Sequence, residues 1–312
     1  MDRVLVVKLG ALGDLLLAEG ALRDIRDHHS GARVTLLTRR PFAPLLVRCP
    51  WVDEVIVDDN RPRWHLPAMF RLAATLRAQR FGMAYDLQNS RRSSFYLRRL
   101  LGGQVTWSGQ GPACPLPHRH PDPKSLPVLE RHLGQLADAG LTPTHTLRPG
   151  AVWLAQPVGD LLERAGVHPP FVVLLPGSSA RGSAKRWPHY RELAARLQAR
   201  GLTPVTVPGP AELDAFDDLA GISLRRHDGG ALDLPTLAGV LQAAAAVVGN
   251  DSGPTHLAAN LGVPGLALFG TDAAQAARTC LGRGAVQVLA APGFTNLGAE
   301  QVERALVPLV RT

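Results

Sequence analysis

The chain has 312 residues, 46% of them hydrophobic and 19% charged, and carries a net charge of +8. That is enough for two domains of roughly 150 residues, each burying its own core. The arginine-rich balance fits nucleic acid, an anionic membrane surface or phosphorylated small molecules as partners.

Three cysteines, Cys49, Cys114 and Cys280, lie far apart without a CxxC pair. This argues against a disulfide scaffold, a zinc ribbon or a redox pair and points to a reduced, cytoplasmic protein. No run approaches the roughly 18 apolar residues needed to span a bilayer. The apolar start is broken by Lys8 and Asp14, with no small-residue cleavage site after it, and does not read as a signal peptide.

Residues 3–9 read as a strand, 10–14 as a glycine-bracketed turn, and 15–28 as a helix with Leu15, Ala18, Leu22 and Ile25 on one face. Strands at 34–38, 55–57 and 83–87 alternate with helices at 41–48 and 67–80. Such alternation predicts a parallel sheet with helices on both faces. Residues 108–127, rich in proline, glycine and histidine, read as an exposed loop, followed by a helix at 129–139. The stretch 147–157 has the composition of an interdomain linker. Beyond it the alternation resumes, with strands at 171–175, 204–207, 263–269 and 286–289 and helices at 190–200, 212–219, 234–244 and 299–310. The expected division is a first domain at 1–150 and a second at 151–295. The C-terminal helical segment 296–312 would be able to pack back on the first domain.

Four clusters carry chemistry. Gly10-Ala11-Leu12-Gly13-Asp14 is not the GxGxxG dinucleotide fingerprint. Asp14 either caps the first helix or acts on a substrate. Pro176-Gly177-Ser178-Ser179, followed by Lys185-Arg186-Trp187-Pro188, could approach an anion but is not a Walker loop; the alternative is a basic loop around a packed Trp187. Glu212, after Pro208-Gly209-Pro210-Ala211, could hold ribose hydroxyls or cap a helix. The fourth is the apolar run ending in Asn250-Asp251-Ser252-Gly253-Pro254-Thr255-His256. It reads as a strand, a tight turn and a helix mouth suited to phosphate, with Pro254 fitting the first turn. Asp251, Ser252 and His256 stand too close in sequence to form a hydrolase relay, and the GxSxG elbow is missing. His118 and His120 read as solvated loop histidines without a carboxylate neighbour.

Together and in this order the clusters resemble glycosyltransferase family 9, the ADP-heptose:lipopolysaccharide heptosyltransferases. The likeness rests on VLVVKLGALGDL at 4–15, Tyr85-Asp86-Leu87-Gln88 before Arg91-Arg92-Ser93, and LPGSSARGSAKRWP at 175–188. It adds Gly209-Pro210-Ala211-Glu212 and, most specifically, NDSGPTHLAA at 250–259 followed by Leu268-Phe269-Gly270. The first turn lacks the serines common in the family, and no proline follows Gly270.

The resemblance implies an α/β fold of the GT-B kind, two Rossmann-like domains with parallel sheets facing a cleft, acceptor on the first and nucleotide-sugar on the second. It implies inverting transfer without a bound metal or other cofactor. Asp14 would be the general base and Lys185 the cation meeting the diphosphate. Ser178, Ser179, Glu212, Asp251, Ser252, Gly253, Thr255 and His256 would line the nucleotide-sugar site. The implied partners are an ADP-sugar donor and a phosphorylated glycan or glycolipid acceptor, with room for peripheral contact at the inner membrane face. Nucleic acid is not expected, since aromatics are 5% and no basic helix stands out. Two rival readings are a GT-B transferase with another donor and a catalytically silent nucleotide- or glycan-binding protein on the same fold.

Overall fold

The computed structural model describes residues 3–102, 105–110, 114–177, 186–272, 276, 279, 281 and 284–311. The chain divides into two compact units, Met1–Pro149 and Gly150–Thr312.

The first unit runs β1 (Arg3–Val7), α1 (Leu12–Leu17), α2 (Glu19–His28), β2 (Arg33–Arg39), α3 (Ala43–Leu46), β3 (Glu54–Asp58) and α4 (Leu66–Ala78). It continues with β4 (Met83–Asp86), α5 (Arg91–Phe95), β5 (Thr106–Gly109), β6 (Leu116–Pro117) and α6 (Val128–Asp138). Its six strands are ordered β3-β2-β1-β4-β5-β6, and every pair is parallel. Val6 sits in register with Leu36 on one side and Tyr85 on the other. The central strand is apolar at nearly every position because helices cover both faces. On one face Leu5, Val7, Leu37 and Trp107 pack against Leu72 and Leu76 of α4 and Tyr96 and Leu100 beyond α5.

The helix expected at 15–28 is two helices, meeting at Ala18. The second is held against the segment 144–146: a Cβ on Gly20 would lie 2.2 Å from the His145 carbonyl oxygen. Asp24, one turn on, accepts the N–H groups of Thr144, His145 and Thr146 and both threonine hydroxyls.

The segment 108–127 departs from the exposed loop expected of it. Trp107 and Ser108 of β5 are buried, with Trp107 in register with Ala84. His118 is only 3% exposed at its side chain, and its Nδ1 lies 2.8 Å from Asp138 Oδ2. The carboxylate comes from the last turn of α6, out of reach of any local reading of the sequence.

The second unit runs α7 (Gly159–Arg164), β7 (Phe171–Leu175), α8 (Tyr190–Ala199), β8 (Thr203–Thr206), β9 (Ile222–Ser223) and α9 (Leu234–Ala243). Then come β10 (Ala246–Asn250), α10 (Gly253–Asn260), β11 (Gly265–Phe269), β12 (Val286–Ala290) and a last helix, α11 (Ala299–Leu306). Strand order is β12-β11-β10-β7-β8-β9, again parallel throughout. Every residue of β7, β10 and β11 is buried.

Ala299, Val302 and Leu306 of the last helix are buried in this unit's core with Leu193 and Leu197 of α8, and Arg196 of α8 binds Glu303. Residues 212–219 form turns, not a helix; Arg225 holds them by donating to the Leu213 carbonyl at 2.6 Å and pairing with Asp217. The linker-like stretch is packed, with Ala151 and Leu154 buried and the Ala151 N–H donating to the Asn260 carbonyl at 3.0 Å.

Candidate active site

In both units the chain enters a central strand, winds outward one way, then returns to the middle and winds the other way. This is the 3-2-1-4-5-6 arrangement of doubly wound folds, whose ligands bind at the carboxyl edge where the order reverses. The reversals fall between β1 and β4 and between β7 and β10.

At the second unit's reversal three turns, distant in sequence, leave adjacent strands. They are Pro176-Gly177 after β7, 207–212 after β8, and Asp251-Ser252 after β10. Asn250, fully buried, joins the first and the third of these to the entry of α8. Its Oδ1 accepts the Trp187 N–H at 3.1 Å and the Tyr190 hydroxyl at 3.2 Å. Its Nδ2 donates to the Pro176 carbonyl at 2.9 Å. Trp187 is anchored in turn by donating its ring N–H to Leu297 O at 2.7 Å.

Ser252 is the N-cap of α10 and Pro254 occupies its first turn. Gly253 and Thr255 supply first-turn N–H groups, which a helix leaves without an internal partner. Those dipoles point to the strand edge, a setting that favours a phosphate. The Thr255 hydroxyl donates to the Asn250 carbonyl at 2.6 Å and lies 3.1 Å from the Ser252 hydroxyl. Gly249 is required for this approach, since a Cβ there would come 2.3 Å from Thr255 Oγ1. His256 is buried, with Nε2 3.4 Å from Asp251 Oδ1.

Glu212 reaches back over the neighbouring turn. One carboxylate oxygen pairs with Arg186, and the other would stand 2.3 Å from a Cβ on Gly177. Elsewhere in this unit Gln156, Arg226, Leu232 and Thr236 help line a cavity of about 380 Å³, which none of these site residues lines. The structure therefore brings Glu212, Asp251, Ser252, Gly253, Thr255 and His256 to one edge of one unit. Ser178, Ser179 and Lys185 lie outside the described residues.

In the first unit Asp14 is the third residue of α1, and its Oδ2 accepts the Ala11 N–H at 3.3 Å. Gly10 needs to be glycine, with φ +114° and the Phe42 ring 2.5 Å from where a Cβ would stand.

Beneath this turn residues of two of the quoted motifs meet in a buried polar cluster that the sequence did not reveal as one. Lys8 Nζ donates to Leu87 O at 3.0 Å, and the Leu9 N–H to Gln88 Oε1 at 2.8 Å. Burial pulls the Lys8 ammonium down to about 8, against the raising influence of the Asp14 charge. Burial likewise pushes the Asp86 carboxyl up to about 6, although Asn89 and Gln88 N–H groups and Lys8 favour its charged form. His132, buried beside them, is held well below its usual range by burial and then by Lys8. Gln135 closes the cluster, donating to Asp86 O and Ser108 O and accepting from Asn89 Nδ2 at 2.7 Å. Among the described residues no group of three or more His, Cys, Asp or Glu could hold a metal ion.

The model of Glycosyltransferase family 9 (heptosyltransferase) matches residues 69–294. The chain belongs to glycosyltransferase family 9. Lipopolysaccharide heptosyltransferase 2 of Escherichia coli (strain K12) is 27% identical over 290 residues, covering 86% of this chain and 82% of that protein. The structure of the glycosyl transferase family 9 from Veillonella parvula DSM 2008 matches with a TM-score of 0.83 at 20% identity, over 99% of this chain and 97% of that one. E. coli ADP-heptose lps heptosyltransferase II matches with a TM-score of 0.75 at 22% identity, over 98% of each chain. These likenesses show the GT-B fold that the motifs implied. As a family 9 chain the protein is a glycosyltransferase, and its two sheets are the paired Rossmann-like units of that architecture.

Proposed function

We propose that this glycosyltransferase moves a heptose from ADP-heptose to a lipopolysaccharide-core-like acceptor, with inversion and without a metal. The observation that carries the reading is that Asn250 ties the Pro176-Gly177 turn and the entry of α8 to the α10 mouth, with Glu212 reaching Arg186 from the neighbouring turn. A helix N-terminus with two hydroxyls beside it suits a diphosphate, and Glu212, one strand over, suits ribose hydroxyls. The ADP-heptose named for the E. coli structure supports adenine as the base and heptose as the sugar.

In this reading the second unit holds the donor and the first the acceptor. Asp14 takes the proton of the acceptor hydroxyl as its oxygen attacks the anomeric carbon from the face opposite the diphosphate. The bond from that carbon to the phosphate oxygen breaks, and its electron pair leaves with ADP. Negative charge grows on the departing phosphate, where the Gly253 and Thr255 N–H groups, the Ser252 hydroxyl and the Lys185 cation stabilise it more than in the ground state. A cation and aligned amides give the leaving group what a metal would otherwise supply. Asp251 and His256 complete the polar wall.

A thermal-shift series with ADP, UDP, GDP and CDP tests the donor. A ligand at about 100 times its dissociation constant stabilises by about 2.7 kcal/mol, which is readily seen. ADP alone should stabilise the protein, and ADP-heptose with a heptose-deficient core acceptor should release ADP. Stabilisation by UDP or GDP in place of ADP overturns the donor; ADP binding without turnover of any acceptor makes the chain a nucleotide-binding protein.

A further inference from the structure

Gln88 closes the motif Tyr85-Asp86-Leu87-Gln88 and stands two residues past the end of β4. The reversal between β1 and β4 puts it beside the turn that carries Asp14. Its Oε1 accepts the Leu9 N–H at 2.8 Å. Only the oxygen of a carboxamide can accept an N–H, so this bond fixes which way the group faces. The Nε2 must then turn elsewhere. Among the described residues it has no partner, and it is open to water. Asp14 holds the same turn two residues on, through the Ala11 N–H at 3.3 Å. The two backbone nitrogens so held are at most about 7 Å apart along the chain. A carboxylate and a pair of amide donors thus belong to one short turn at the sheet's carboxyl edge.

The peptide that carries Gln88 is fixed more firmly than its bond to Leu9 requires. The Gln88 N–H donates to Val7 O at 3.0 Å. Asp86 Oδ1 accepts the Gln88 and Asn89 N–H groups at 3.2 and 2.8 Å. Asn89 has φ +47°, a left-handed conformation uncommon outside glycine. Its side chain is held at both ends, Nδ2 donating to buried Gln135 at 2.7 Å and Oδ1 accepting the Gln110 N–H at 3.0 Å. A water would satisfy the Leu9 N–H at the edge of a sheet. A glutamine there keeps two unspent donors, and side chains that lock its peptide in place are what a precise contact needs.

We propose that Gln88 binds the glycan acceptor, an inference that rests on the reading of the first unit as the acceptor domain. Its Nε2 donates to an oxygen of the acceptor sugar, and a neighbouring hydroxyl of the same sugar gives its proton to Asp14. The donor pair carries no charge, so it reads the position of a sugar oxygen and does not select an anion. One ring laid across the turn meets both groups. Held at two points, it cannot rotate the attacking oxygen away from the base, which is how orientation contributes to rate.

The test compares the full chain with Gln88→Glu and Gln88→Ala, with heptose-deficient core oligosaccharide as the probe. Glutamate keeps an oxygen for the Leu9 N–H but has no amide to donate, whereas alanine loses both. Each variant should bind the oligosaccharide about tenfold more weakly by calorimetry and raise its KM in ADP release by a similar factor. ADP affinity should be unchanged, and Gln88→Glu should melt near the wild type. If Gln88→Glu binds the oligosaccharide as well as the wild type does and only Gln88→Ala is impaired, the proposal is overturned, and Gln88 merely fastens Leu9. Two variants that both bind like the wild type overturn it as well. A wild type that transfers nothing, yet binds the oligosaccharide through Gln88, ends the transferase reading and supports the contact. A wild type that neither binds nor transfers removes both.

Discussion

Asn250 and Trp187, far apart in sequence, are joined in the core of the second unit, the carboxamide oxygen accepting the backbone N–H at 3.1 Å. The same side chain reaches Tyr190 and Pro176, so one residue fixes the ends of β7 and β10 and the entry to α8. Replacing it with alanine takes their partner from the buried Trp187 N–H and Pro176 carbonyl and removes one acceptor of the Tyr190 hydroxyl. Asn250→Ala should cost about 3 kcal/mol or more in urea unfolding. It should also weaken ADP binding at least about tenfold by calorimetry, beyond any loss explained by the unfolded fraction.

Asp14 supports its own helix through the Ala11 N–H as well as standing at the strand edge. Asparagine keeps an acceptor for that N–H but cannot take a proton. Asp14→Asn should therefore lower turnover by about 10² to 10⁴ while leaving ADP affinity and melting temperature near those of the wild type. Turnover that survives the change would reduce Asp14 to a capping residue.

The buried cluster beneath Asp14 makes stability depend on pH in two windows. Lys8 titrates near 8 when folded and near 10.5 when unfolded. Its contribution is present above the higher value and is lost as pH falls through the lower. Stability should then rise with pH between them, by up to about 1.4 kcal/mol per unit. Asp86 has the opposite sense, with a folded value of about 6 above an ordinary 3.8. Its contribution is present at low pH and lost as pH rises through 6. Denaturant unfolding across pH should show both slopes, with Lys8→Met removing the alkaline one and Asp86→Asn the acidic one.

Asp24 behaves as a conventional acid anchor. Burial raises its carboxyl, but the Thr146 hydroxyl and the N–H groups of 144–146 outweigh it and hold the group below the ordinary range. Its contribution is present at neutral pH and lost as pH falls through that depressed value. Asp24→Ala should cost about 3 kcal/mol at neutral pH, from three backbone donors left without their acceptor. The gap to the wild type should narrow in strong acid.

The strands were legible because burial on both faces leaves little choice of residue: Phe171–Leu175 and Gly265–Phe269 are apolar runs bounded by turn formers. The mouth of α10 was legible for a different reason, since Ser252, Gly253 and Pro254 each have a local geometric duty there. What the sequence hid depends on partners far along the chain. Asn250 looked like a turn residue because its bonds reach Pro176, Trp187 and Tyr190. Lys8 looked like a break in a strand, since Leu87, its acceptor, belongs to another strand's end. Residues 91–100, with four arginines among them, show no clean period, yet their apolar members Tyr96, Leu97 and Leu100 are buried. Glu212 read as a helix start, but Gly177 leaves the room into which its carboxylate folds.

The clamp on Asp58, made by Arg92 and Tyr96, marks where the fold's demands on the first unit's outer loop end. Residues 62–65 beyond it reach no core position, and lengthening such a loop costs only about 0.6 kcal/mol per doubling. That stretch can be exchanged or extended while the sheet beneath it stays as it is. The second unit's edge has no comparable freedom, because Asn250 makes three segments one object and a change in any of them is felt by the others. A chain of this design tolerates change in that one short segment, but a new leaving group would require rebuilding several strands' ends at once.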